Sequence, residues 1–118
     1  MDFVDISGSS PQEQAALNYH RANLINNRYL RHPDGGITTF MGSIGRTQDN
    51  KGEMYFPTYW GGAILEPRSA FKQAVKSGIK FPVYSDVETA LKREQAMHNI
   101  MEQDTKLFLK SLKNAGKK

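Results

Sequence analysis

The runs that decide the predicted fold are PDGGITTFMGSIG at 33–45, GEMYFPTYWGG at 52–62 and SGIKFPVYSD at 77–86. The first two are rich in β-branched and aromatic residues, and the polar segment 47–52 between them is typical of a hairpin turn. The residues between the second and third runs have helical character, and so do the residues after the third run. We therefore predict an α+β fold in which a ββαβα core forms a small antiparallel three-stranded sheet.

Cap and turn signals give provisional bounds for these elements. Ser10, Pro11 and Glu13 have the pattern of a capped helix start and predict an N-terminal helix over 11–27. Pro67 and Gly78 bound a second helix over 67–77. A second capping-box pattern at 85–88 begins a long C-terminal helix over 86–113. Strands are predicted over 37–44, 53–59 and 81–84.

The chain organises into an N-terminal arm at 1–10 and one α+β domain over 11–118. Within that domain, 33–98 forms the central unit and 99–118 extends the last helix. A helix of roughly 28 residues is about 40 Å long at 1.5 Å per residue, which is longer than a domain of this size is wide. We expect its end to pack on the N-terminal helix, on another copy of the chain or on a partner.

Composition narrows the class of partner. The 118 residues include no cysteine and carry a formal net charge of +4. No run approaches the roughly 18 apolar residues of a membrane-spanning helix, so we predict no membrane partner. The basic balance permits a nucleic-acid partner without requiring one.

No catalytic constellation is present in the sequence. His20, His32 and His98 lack the spacing of a metal site. Ser43 does not stand in a nucleophile elbow, and the glycines on either side of it are not followed by the lysine of a phosphate-binding loop. We predict no enzyme activity, no catalytic or metal-ligating residue and no cofactor.

Two groups of side chains are candidate contact surfaces. Tyr55, Tyr59 and Trp60 lie near the basic residues Arg46 and Lys51. Strand alternation puts Tyr55 and Tyr59 on the face opposite Met54, Phe56 and Thr58, while Pro57 predicts a sheet edge or a bulge. Aromatic side chains in this setting can pack in the core, form a protein interface or stack on bases. These three alternatives remain open at this point.

The second group lies on the C-terminal helix. Met101, Phe108 and Leu112 recur at helical spacing and form an apolar seam, which soluble monomers rarely leave uncovered. Lys110 and Lys113 add positive charge near the end of the helix, where it favours the helix dipole. We predict that the seam packs on the N-terminal helix or on another protomer.

Several short motifs together resemble a small module that is common in structural and polyvalent proteins of tailed bacteriophages. The module combines a Pro-Asp-Gly turn and an Ile-Ser/Thr-Thr strand with Gly-Glu followed by Pro-Thr, then a helix that ends in Ser/Thr-Gly and a capped helix start. The matching residues are Pro33-Asp34-Gly35, Ile37-Thr38-Thr39, Gly52-Glu53, Pro57-Thr58, Ser77-Gly78 and Val83-Tyr84-Ser85-Asp86-Val87-Glu88, with Met97-His98 in place of a terminal Leu-His pair.

The resemblance implies a non-enzymatic, virion-associated structural protein that is made in the host bacterial cytoplasm and acts through protein–protein contacts. Such a protein would be a minor capsid, portal or tail, or ejected component, with other virion proteins or further copies of itself as partners. The alternative is a small phage protein that binds host protein or nucleic acid, such as an inhibitor of a defence system.

Overall fold

The computed structural model describes residues 2–115, which contain three helices and seven short strands. In chain order the elements are α1 (Pro11–Ile25), β1 (Leu30–Arg31), β2 (Ile37–Thr38), β3 (Gly42–Arg46), β4 (Glu53–Pro57), β5 (Tyr59–Trp60), β6 (Ala63–Ile64), α2 (Pro67–Ser77), β7 (Val83–Tyr84) and α3 (Val87–Ala115). The α+β fold, with an N-terminal helix and a long C-terminal helix, is therefore confirmed.

The central sheet is antiparallel and three-stranded, in the order β3-β4-β7. Ile44 pairs with Tyr55 across β3 and β4, and Glu53 pairs with Tyr84 across β4 and β7. Since β7 pairs only with Glu53 and Met54, the end of β4 that carries Pro57 has a strand neighbour on one side alone. This agrees with the predicted edge position of a residue that cannot donate a ladder hydrogen bond.

The remaining strands form two separate pairs, β1–β2 and β5–β6. The predicted strand over 37–44 is wrong in its middle, because long-range bonds pull the chain out of the ladder. Asn23 Nδ2 donates to the Thr39 carbonyl at 2.8 Å, and Thr58 Oγ1 donates to the Met41 carbonyl at 2.6 Å. Met41 takes a left-handed φ of 51°, which ends regular pairing there. The predicted strand over 53–59 breaks at Thr58 for the same reason.

Local signals at the helix ends are largely confirmed. Ser10 Oγ accepts from the Glu13 amide at 3.1 Å, and Gly78 closes α2 with a φ of 77°. Asp86, rather than Ser85, caps α3 by accepting from the Thr89 amide at 2.7 Å, so α3 begins at position 87. α1 ends at position 25, two residues earlier than predicted, whereas α3 runs two residues further, to position 115.

Helices cover both faces of the central sheet, so all of β4 is buried. On one face Phe56 packs edge-on against Phe71 of α2, with ring centroids 5.3 Å apart. On the other face Tyr55 packs against Phe40, with centroids 5.0 Å apart, beneath α1 and α3. The alternation predicted along β4 therefore separates two buried faces, rather than a buried face from an exposed one.

Two ion pairs show that α1 and α3 run in the same direction. Glu13 pairs with Arg93, and Arg21 pairs with Asp104 further along both helices. Extending that register puts the end of α1 beside about position 108 of α3, so the last two turns of α3 continue past α1. Residues 3–6 of the N-terminal arm lie against the same two helices, and Val4 donates its amide to Asp104 at 2.9 Å.

Candidate binding surfaces

The aromatic patch predicted around Tyr55 and Tyr59 is part of the core. Their side chains are 2% and 3% exposed, and Trp60 is half-buried with its Nε1 donating to the Pro57 carbonyl at 2.7 Å. Tyr19 of α1 packs on Trp60 at 4.8 Å between centroids, and its hydroxyl donates to the Tyr59 carbonyl. Core packing is therefore the correct alternative, and the prediction of a protein or nucleic-acid contact is wrong for Tyr55 and Tyr59.

The seam on α3 divides into a buried and an exposed part. Met101 belongs to the core cluster that includes Leu17 of α1, and Phe108 is 6% exposed and packs edge-on against Tyr29. Met101 is thus in the core with α1, as predicted, whereas Phe108 packs on Tyr29, just beyond the end of α1. Neither residue is available as an interface. Leu112 is 44% exposed and lies on the two turns that continue past α1.

The four predicted basic contacts lie in two separate places. Arg46 and Lys51 belong to the β3–β4 hairpin, whose turn lies close to β7 and the start of α3. Lys110 and Lys113 lie near the opposite end of α3 and are exposed. Arg46 is held in place, because its Nε lies 3.2 Å from Glu53 Oε1 and its Nη1 donates to Asn50 at 3.1 Å. The fold does not combine the four into one site.

A buried ionic cluster lies between α1, α3 and the N-terminal arm, and it was not predicted from the sequence. Arg21 Nε lies 2.7 Å from Asp104 Oδ2, and the Asp104 side chain is fully buried. His20 Nδ1 lies 2.5 Å from Thr39 Oγ1, while His20 Nε2 is 3.6 Å from Asp104 and has no hydrogen-bond partner. The only sequence signal was the order His20-Arg21 on α1, since Asp104 is more than eighty positions away.

The charge states in this cluster follow from burial and pairing. Burial lowers the pKa of His20 below its usual value and outweighs the opposing effect of Asp104, so His20 is neutral near pH 7. Burial alone would raise the pKa of Asp104, but hydrogen bonds from Arg21 and the Val4 amide, together with the charge of Arg21, hold it below its usual value. Asp104 therefore stays ionised and joins three segments of the chain.

A second buried carboxylate joins the other end of the two helices. Glu13 accepts from Arg93 Nε and Nη2 at 2.8 Å each and from the Tyr84 hydroxyl at 2.6 Å. The bond from Arg93 is the main cause of the lowered pKa of Glu13. In a capping box the Ser10 amide would donate to Glu13, but this bond is not made, because the Glu13 carboxylate faces α3. Both buried clusters hold α1 and α3 together.

A groove of about 530 Å³ runs between α3 and the segment 37–42. Glu94, His98 and Glu102 follow one another at each turn of α3 along its side, and Tyr55 also lines it. Burial, reinforced by Glu94, raises the pKa of Tyr55, which stays protonated. Among residues 2–115, no three His, Cys, Asp or Glu side chains form a group that could hold a metal ion.

A second groove, of about 490 Å³, lies beside α2 and the edge strand β3; we call it the α2 groove. Phe56, Phe71 and Ile44 supply apolar lining, and the cations that line it are Arg46, Arg68 and Lys72. One turn further along α2, Lys76 continues the row. The sequence signal for this row was the four-residue spacing of Arg68, Lys72 and Lys76, which puts them on one side of a helix.

No known protein family, curated protein or solved structure matches the chain. None of the helices within residues 2–115 combines the length and apolar character needed to cross a membrane.

Proposed function

We propose that this protein is a non-enzymatic structural component of a tailed-bacteriophage particle and acts through protein–protein contacts. It would be a minor capsid protein, a portal or tail protein, or an ejected protein. The motif resemblance over 33–98 supports the phage setting.

The observation that carries a contact role is the free end of α3. Past the end of α1, Leu112 is 44% exposed and Leu109 is half-buried, with Lys110 and Lys113 beside them. Leu109 and Leu112 are three positions apart and share one side of the helix. An apolar side flanked by charge at the tip of a 29-residue helix is a surface suited to a partner or a second copy of the chain.

Mass spectrometry of purified particles tests the proposed location directly. We expect peptides of this chain at a constant ratio to the major capsid protein across preparations. In the alternative function, as a phage protein that binds host protein or nucleic acid, peptides occur in infected cells and are absent from purified particles. That second result would reject the virion assignment.

A pair of variants tests the contact surface. Leu109→Ser with Leu112→Ser should reduce incorporation into particles, or reduce the sedimentation coefficient of any oligomer, while residues 2–108 stay folded. Val75→Ser is the control, because Val75 is 52% exposed on α2, away from this end of α3. Equal incorporation of the double variant and the control would reject the end of α3 as the contact surface.

A further inference from the structure

We propose that the α2 groove binds single-stranded nucleic acid, with phosphates on the row Arg68, Lys72 and Lys76 and a base against the apolar lining at Phe71. This role goes beyond the structural function proposed above and does not depend on it.

The cations of the row are available to a ligand. Within residues 2–115 no carboxylate lies within 4 Å of Arg68, Lys72 or Lys76. By contrast, one cation on α1 and three on α3 pair with acids: Arg21, Lys92, Arg93 and Lys106. The nearest acidic residue along α2 is Glu66, whose Oε1 accepts from Ser69 Oγ at 3.1 Å. The row therefore presents positive charge that nothing in the described part of the chain neutralises.

The spacing of the row suits a phosphate backbone. Residues four apart on a helix are separated by about 6 Å along its axis. Successive phosphates of a stacked strand rise about 3.4 Å along the strand axis, so every second phosphate advances by about the distance between two cations of the row. Arg46 lines the same groove, but its charge is already paired with Glu53, so the phosphate contacts are assigned to the row alone.

The start of α2 adds to the same field. Glu66 is the N-cap residue but makes no side-chain cap bond, so amides of the first turn keep their donors. Pro67 and Arg68 at that start line the groove. The positive end of the helix dipole thus lies at the part of the groove that Pro67 and Arg68 line.

The apolar lining favours nucleic acid over an acidic peptide. Phe71 is half-buried and its outer part lines the groove between the cations. A nucleotide offers both a phosphate for the cations and a flat base for an aromatic ring, whereas an acidic peptide offers only carboxylates. In a duplex the base faces are stacked on one another and cannot reach the groove, so the ligand is single-stranded.

Fluorescence anisotropy with a labelled oligothymidylate of about 12 nucleotides tests the proposal on the full chain. Three phosphate contacts predict a log–log salt slope of about −2.1, or about 20-fold weaker binding at 200 mM than at 50 mM salt. The variant Arg68→Gln, Lys72→Gln, Lys76→Gln should bind at least ten-fold more weakly, with a slope close to zero.

A matched control removes the same charge elsewhere. Arg28→Gln, Lys92→Gln, Lys106→Gln changes three exposed cations away from α2, two of which are already paired with Glu88 and Glu102. We expect affinity within about three-fold of the parent chain and a nearly unchanged slope. Phe71→Leu keeps an apolar side chain but removes the ring, and should weaken binding about five-fold without changing the slope. Circular dichroism confirms that each variant is folded.

Four results would overturn the proposal: no saturable binding at 50 mM salt, equal loss in the two triple variants, a duplex that binds as tightly as the single strand, or a polyglutamate peptide that competes as well as the oligonucleotide. None of them bears on the presence of the chain in particles, which is tested separately by mass spectrometry.

Discussion

The two faces of the central sheet use charge in opposite ways. On the face covered by α1 and α3, the carboxylates Glu13 and Asp104 are buried and each is matched by an arginine. On the face covered by α2, the cations Arg68, Lys72 and Lys76 are exposed and unpaired with acids in the described chain.

This difference predicts that mutations on the two faces have different effects on the free energy of unfolding. A buried charge that loses its partner is costly, so the α1–α3 face should be sensitive to single changes. Exposed cations contribute little to the free energy of unfolding, so the α2 face can be altered without loss of the fold. Four changes should test that contrast, from the largest expected effect on stability to the smallest.

Asp104→Asn should have the largest effect. It leaves Arg21 without its anion in a site where the acid is fully buried, and should lower the free energy of unfolding by about 3 kcal/mol. Urea titration followed by circular dichroism measures this. Glu102→Gln, two residues away on an exposed part of α3, should change stability by less than about 0.5 kcal/mol. Equal effects of the two changes would contradict the assigned role of Asp104.

Gly42→Ala should come next. A Cβ at this position would lie 2.2 Å from a ring carbon of Tyr55, on the same face of the sheet. Overpacking of this kind costs about 1–3 kcal/mol, because the ring or the strand must shift. Thermal melting compares this variant with Gly8→Ala, where nothing lies within 4 Å of the added methyl. A neutral Gly42→Ala would mean that Tyr55 can move away without loss of packing.

His20 should give a smaller, pH-dependent contribution. Its pKa is lower in the folded chain than the usual value of about 6.5, so the unfolded chain binds more protons in the interval between the two values. Stability is therefore present above pH 6.5 and is lost as the pH falls through that interval. The slope of melting temperature against pH between 7.5 and 5.5 should flatten in His20→Gln. An identical slope in both proteins would show that His20 does not titrate on unfolding.

The smallest effect is expected on the α2 face. Replacing Arg68, Lys72 and Lys76 together by glutamine should change the free energy of unfolding by less than about 0.5 kcal/mol, since none of them is paired. Urea titration beside Asp104→Asn gives the direct comparison. A loss as large as that of Asp104→Asn would mean that the row supports the fold, and the contrast between the two faces would fail.

Local chemistry was readable in the sequence wherever a few neighbouring residues decide the outcome. Ser10 and Gly78 placed a helix start and a helix end because caps act over three or four positions. The break at Met41 and the cluster around Asp104 were not predicted, since both depend on partners far away in the chain.

The candidate contact residues show the same limit. Alternation along 53–57 correctly separated Tyr55 from Phe56, but pattern alone cannot tell whether a second layer covers an aromatic face. Tyr55 and Tyr59 were candidates for a contact surface as well as for the core, and both are buried. The row on α2 was visible from its spacing, but its lack of acidic partners became clear only in the structure.

The bond between Val4 and Asp104 joins residues that are one hundred positions apart, and it sets an order of events during synthesis. α1 leaves the ribosome long before the residues that bury Leu17 and pair with Arg21 have been made. The hairpin β3–β4 and α2 can associate early, because their contacts are closer in sequence. The side of α1 that packs on α3 must stay uncovered until α3 emerges, and during that interval the nascent chain is most exposed to aggregation and to chaperone binding.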